Sequence, residues 1–221
     1  MKAKTKKIFS LSVLVMCIAV FGLVGAASAE DSIEDILDNR YGSGCWQEST
    51  VETFLANGGS GGMTATAIVV NSQCGYKNPT GWYVAGSTDP SDRTEMFSDP
   101  EPNESAIITT NGAFGLYIDS DGTGTTIYYT ETGLNPIEPD PTGTRRQHAK
   151  VYEITCVAAD YVVAFEDKSP DDSPPWDEDY NDVVIELTDV NPIPEFATIA
   201  IPVVGILGLF LFFNHRKRKE E

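Results

Sequence analysis

The stretch KVYEITCVAADYVVAFEDKSPDDSPPWDEDYNDVVIEL, residues 150–187, decides the fold. It contains three β-rich runs. In the first, Tyr152, Ile154 and Cys156 alternate with Val151, Glu153 and Thr155. That alternation predicts a strand with Tyr152, Ile154 and Cys156 on the core face. In the second, Tyr161, Val163 and Phe165 share a face. In the third, Val183, Ile185 and Leu187 share one and Glu186 points the other way. Between the second and third runs lies a loop with eight carboxylates from Glu166 to Asp182, opposed only by Lys168. Like charges this close repel one another. Such a loop between two apolar strands asks for a positive partner.

Working outward, similar short runs occur at 64–70, 81–85, 105–109, 114–118 and 125–130. Gly, Pro, Asn and Asp separate them at spacings of about 8–12 residues, the pattern of a β-sandwich or barrel. The expected fold is all-β: a jelly-roll-like β-sandwich over residues 63–188 with one short N-terminal helix. Ile33, Ile36 and Leu37 stand at helical spacing, with Ser32 and Asp35 placed like a capping box. Residues 30–62 are read as that helix and a Gly-rich lead-in. The Gly58-Gly59-Ser60-Gly61-Gly62 run lacks the GK[ST] ending of a phosphate cradle.

Both ends of the chain read as addresses. Lys2, Lys4, Lys6 and Lys7 precede an apolar run that ends in Ala27-Ser28-Ala29, the form of a secretory signal peptide over residues 1–29. Residues 197–213 are apolar or small except Thr198, long enough at helical rise to span roughly 25 Å. A basic tail over residues 214–221 follows, and a basic cluster beside an apolar span stays cytoplasmic. The body is therefore expected outside, with 197–213 as a transmembrane helix and 189–196 as a Pro-rich linker.

Pro194-Glu195-Phe196, then the apolar span and the basic tail, resembles the PEF-CTERM sorting signal of archaeal surface proteins. The resemblance implies an archaeosortase-type processing enzyme as partner. It leaves open whether the helix is removed or stays as an anchor.

Without its two ends the chain carries 7 basic and 31 acidic residues, a net charge of −24. That excludes a nucleic-acid binder, which needs a basic surface. It suits a salty or divalent-rich exterior, where cations screen the repulsion. Cys45, Cys74 and Cys156 lie in this region, and an exported protein can oxidise one pair. Three pairings are open, and the spacing does not choose among them.

Asp177-x-Asp179-x-Asn181 copies the start of an EF-hand loop, but Asp182 stands at the turn glycine and Thr188 at the closing Glu. It is not an EF-hand, yet the ligand chemistry is similar. Calcium takes six to eight oxygens, which clustered carboxylates and an Asn amide supply. Zinc prefers His or Cys. If the strands ending at Phe165 and starting at Val183 are neighbours, Glu166-Asp167 and Asn181-Asp182 arrive at one end of the sandwich. The plain alternative is a solvated acidic loop. Asp119-Ser120-Asp121-Gly122 reads first as a hairpin turn and second as another cation site. Asn103-Glu104-Ser105 is an N-glycosylation sequon.

Phe165-Glu166-Asp167 and Asp179-Tyr180-Asn181-Asp182-Val183-Val184, with an acidic loop between, resemble the signature of the domain of unknown function 4114. Residues 75–83, 114–118, 126–135 and 148–151 resemble earlier parts of that family, so the likeness covers about residues 64–188. It implies a β-rich domain, suggests cation binding and implies no activity. By residue matching it carries Glu166, Asp167, Asp179, Asn181 and Asp182 over as ligands, and spacing adds Asp177.

With His148 and His215 as the only histidines, no Ser–His–Asp set is credible. The sequence therefore predicts a non-enzymatic, calcium-stabilised cell-surface protein with a structural or adhesive role in the envelope. The alternative is a carbohydrate-binding module for envelope or matrix glycans.

Overall fold

The structure is a computed structural model that describes residues 31–57, 63–73, 77–137, 145–169 and 178–193. Among these described residues twelve strands form two antiparallel six-stranded sheets. The first holds β1 (Trp46–Ser49), β9 (Ala149–Ile154), β10 (Tyr161–Phe165), β11 (Val183–Thr188), β3 (Thr64–Ser72) and β6 (Ser105–Thr109), in that spatial order. The second runs β12 (Val190–Ile193), β2 (Thr53–Ala56), β7 (Ala113–Asp119), β4 (Thr80–Val84) and β5 (Arg93–Phe97). There β8 (Ile127–Tyr129) pairs with the second half of β7, beyond the two residues that β2 covers. Among the described residues one α-helix, α1 (Ile33–Tyr41), precedes the strands.

The two sheets share an apolar core. Val69, Val151, Val163, Phe165, Ile185 and Leu187 of the first sheet meet Phe54, Phe97, Phe114, Leu116 and Ile118 of the second. Phe54 and Tyr161 make ring contact across it, centroids 5.4 Å apart. A second apolar cluster lies on the outer face of the first sheet. Ile33, Ile36 and Leu37 of α1 cover Tyr152, Ile154, Val162, Ala164 and Val184 there. Strand β10 is thus buried on both faces, which explains its unbroken apolar run YVVAF.

That covering layer corrects the strand reading of residues 150–156. Val151, not Tyr152 and Ile154, faces the core between the sheets, while Tyr152 and Ile154 lie beneath the helix. Cys156 lies beyond the strand and is exposed. Alternation separates two faces, but it does not name the deeper one when both are dry. Glu186 does point away from the core, as its spacing predicts, into the helix layer. Its carboxylate accepts from Tyr41 (2.5 Å) and from Arg40 Nε (3.0 Å), and pairs with Arg40 Nη2 at 2.9 Å.

The helix begins as expected. Ser32 Oγ accepts from the Asp35 backbone N–H at 3.3 Å. Strands β9, β10 and β11 lie side by side in chain order as a meander within the first sheet. The sheets reach beyond residues 63–188. β1 and β2 come from the supposed lead-in, and β12 comes from the supposed linker. Strand β12 carries Pro192 yet pairs with β2, because it is an edge strand with one neighbour.

Cys45 and Cys156 form a disulfide, Cα–Cα 5.1 Å, so the structure selects one of the three open pairings. The Thr155 N–H donates to the Cys45 carbonyl at 2.8 Å beside it. Cys74 lies outside the described residues.

Gly81 shows how tightly β4 is held between β5 and β7. A Cβ there would meet the Thr94 carbonyl oxygen at 2.2 Å and the Tyr117 ring at 2.7 Å. The first obstacle is backbone and cannot swing aside. Gly81→Ala is expected to destabilise the fold by about 3 kcal/mol, the upper end for overpacking. A denaturant titration that moves less than a variant at exposed Gly133, where a Cβ meets nothing within 4 Å, would contradict this.

Candidate metal centre

Strands β10 and β11 are antiparallel neighbours with Phe165 opposite Val183. The residues just past one strand and just before the other therefore meet at one end of the sheet. Glu166 and Asn181 are 0 % and 1 % exposed, and Asp167 and Asp182 are buried with them. One carboxylate oxygen from each of Glu166, Asp179 and Asp182 lies within 4.8 Å of the others.

The chain is forced into this shape. Glu178 and Tyr180, neither of them glycine, adopt left-handed backbone with φ of 60° and 53°. Each costs free energy of about 1 kcal/mol or more, and persists only where packing holds it. The Tyr180 ring is packed beneath α1, its hydroxyl donates to the Gln147 carbonyl at 2.9 Å, and Lys150 Nζ sits 4.4 Å over its face. The start of α1 locks the same segment. The Ile33 N–H donates to the Asp179 carbonyl at 3.3 Å, and Asn181 Nδ2 donates to the Asp31 carbonyl at 2.8 Å.

Hydrogen bonds then orient the acids. Asn181 Nδ2 donates to Asp179 Oδ2 at 2.7 Å, and the Asp167 N–H donates to Asp182 Oδ2 at 2.8 Å. The Lys168 N–H donates to Glu166 Oε1 at 3.3 Å. The Asp182 main chain is pinned to the end of β3, where the Gln73 N–H donates to its carbonyl at 3.0 Å. Burial, and then the Asp167 charge beside it, push the Asp182 carboxyl far above the ordinary carboxylate range; Glu166 adds to this and Lys168 works against it. Carboxylates packed so closely do not ionise together without a counter-charge.

The donors are all oxygen, and two of the three carboxyl groups are buried. Such a set suits a hard cation and lacks the His or Cys that zinc prefers. Of the six residues predicted as ligands, the fold draws Glu166, Asp179 and Asp182 into one cluster. Asn181 orients Asp179, and Asp167 is held by a residue that the sequence reading did not include. Asn78 Nδ2 donates to Asp167 Oδ2 at 2.5 Å, and Asn78 is 0 % exposed. Asn78 comes from the segment just before β4 of the other sheet, and the resemblance read over residues 75–83 gave it no ligand role. Asp177, like Asp171 and Asp172, lies outside the described residues.

The other sequence features fall into place around this centre. Asp119 and Asp121 close the β7–β8 connection, as the hairpin reading expects: Gly124 N–H donates to Asp119 Oδ2 at 2.8 Å and Thr123 N–H to Asp121 Oδ1 at 2.9 Å. His148 is buried, stacked on Tyr128 with centroids 3.5 Å apart, and its Nδ1 lies 3.2 Å from the Glu166 carbonyl. Asn103 of the sequon is exposed in a turn before β6, with φ 72°. Among the described residues no helix is long and apolar enough to cross a membrane; residues 1–29, expected as a signal peptide, Pro194, Glu195, Phe196 and residues 197–213 lie outside them.

The fold and site so far define a mostly β protein of two antiparallel sheets, with an oxygen-rich centre at one end. Residues 193–217 match the PEF-CTERM archaeal protein sorting domain. That match marks an exported protein attached at the cell envelope, with an archaeosortase as its processing partner. The resemblance to the domain of unknown function 4114 finds no support in the comparisons. No curated protein and no solved structure matches the chain.

Proposed function

We propose that the cluster of Glu166, Asp179 and Asp182 binds calcium, and that the ion stabilises a non-enzymatic β-sandwich with a structural or adhesive role in the cell envelope. The observation that carries this reading is the meeting of three carboxylates within 4.8 Å, two of them buried, at the joined ends of β10 and β11. A buried carboxylate is costly unless a positive partner compensates it. An ion supplies that charge and ties the two strand ends. The apolar span at 197–213 serves as the membrane helix of the sorting signal until an archaeosortase acts.

The test is calcium added to protein stripped with a chelator. At a free concentration about 100 times Kd, binding adds about 2.7 kcal/mol of stability. That corresponds to a rise in Tm of roughly 5–10 °C for a domain of this size. Asp182→Asn is expected to lose most of the rise. Equal Tm values with calcium and with chelator in the wild-type protein would refute the site.

A further inference from the structure

We infer that Asn78 completes the cation site from the opposite sheet, so that the ion clasps the two sheets together at this end. This inference rests on the calcium reading of the carboxylate cluster, and it assigns the ion a further ligand and a mechanical role.

The starting observation is an amide oxygen. Asn78 is 0 % exposed, and its Oδ1 is buried with no hydrogen-bond partner. An amide oxygen removed from water without a partner is costly. Such groups are rare enough that each calls for a cause, and an ion is one. The side chain lies against the acidic centre, because its Nδ2 meets Asp167 Oδ2 at 2.5 Å. Asp167 in turn gives its N–H to Asp182 Oδ2 at 2.8 Å. A chain of two contacts thus leads from Asn78 to a carboxylate of the cluster.

The chemistry of the group also fits. Side-chain amide carbonyls are ordinary calcium ligands. A neutral one adds an oxygen without adding charge to a place that already holds Glu166, Asp167, Asp179 and Asp182. The backbone around Asn78 is fixed, as a ligand's should be: Thr80 Oγ1 donates to its carbonyl at 2.9 Å, and the Asp119 N–H donates to the Pro79 carbonyl at 2.8 Å. Asn78 therefore speaks for sheet two, through β4 and β7, while Glu166 and Asp182 speak for sheet one. An ion bound by both groups opposes parting of the sheets at this end.

Hydrogen exchange on the wild-type protein, with calcium and with chelator, tests the clasp directly. Calcium is expected to slow exchange at residues 78, 80 and 119 as well as at 166–168 and 181–184. Calcium titration of two variants adds the ligand test. Asn78→Ala is expected to weaken binding about tenfold. Asn78→Asp keeps an oxygen in place and is expected to show a larger calcium-dependent rise in Tm than wild type. Protection confined to 166–184, or full affinity in Asn78→Ala, overturns the role of Asn78 while leaving the carboxylate site standing. A wild-type protein that takes up no calcium removes the site itself, and this inference with it.

Discussion

Breaking the Cys45–Cys156 disulfide is expected to lower stability by about 4–5 kcal/mol, the figure for closing a loop of roughly 100 residues. The cysteines are separated by 111 positions, so the bond encloses most of both sheets and removes much of the unfolded chain's freedom. Its place in the fold makes it matter further. Strand β1 has four residues, lies at the edge of its sheet and pairs only with β9. The bond holds the start of β1 to the end of β9, beyond the reach of the ladder. Cys156 is exposed, so a reductant can reach it. We expect a Cys45→Ser, Cys156→Ser double variant to melt roughly 10–15 °C lower than the oxidised protein. Amides of residues 46–49 should lose exchange protection before those of β10. A protein whose Tm ignores reductant, with both thiols free by intact mass, would show that the bond is not part of the exported molecule. Export is what makes the bond possible, since it forms and persists in an oxidising exterior.

The sequence shows the strands that have one polar face or a β-branched run, and it hides those that have neither. β3, β4, β6, β7, β8, β9, β10 and β11 were all legible as short β-rich runs between turn residues. β1 reads Trp-Gln-Glu-Ser and β12 reads Val-Asn-Pro-Ile, with little to mark them as strands, and both are edges that a partner strand recruits. Strand β5 is largely exposed, so its Arg-Thr-Glu-Met-Phe carries one buried residue and almost no pattern. The wrong face assigned to Tyr152 has the same physical origin. Helix α1 dries the outer side of the sheet, and a helix placed over 100 residues away in sequence leaves no sign in the strand it covers.

The candidate site divides in the same way. Glu166 and Asp182 were legible because each abuts an apolar strand, and hydrogen bonding between those strands brings them together. Asn78 was not legible, because its approach to Asp167 depends on how the two sheets pack. Packing between sheets is a property of the whole core and leaves no local pattern.

Alkali is expected to unfold the protein in one cooperative step above pH 11, and the cause is its buried tyrosines. Tyr83, Tyr117, Tyr152 and Tyr180 are each no more than 6 % exposed. Burial is the first cause that raises all four phenols above their ordinary value; Glu131 adds to it at Tyr83, Glu95 at Tyr117, Glu34 at Tyr152 and Glu166 at Tyr180. Tyr117 and Tyr180 are pushed to about 12. A phenol whose folded value is raised contributes its full stability below the unfolded value of about 10 and loses it as the pH climbs toward the folded value. At about pH 11 the unfolded chain has gained about 1.4 kcal/mol per tyrosine that the folded chain has not. Summed over the four rings and reduced by about a quarter for solvent screening, the loss is about 4 kcal/mol. That is a large part of the roughly 5–15 kcal/mol that holds a domain together. Phenolate absorbance should therefore rise in step with the loss of β-sheet circular dichroism, and the double cysteine variant should make the transition at a lower pH. Gradual ionisation of every tyrosine near pH 10 with the sheets intact would mean that these rings are not in the dry layers where the fold places them.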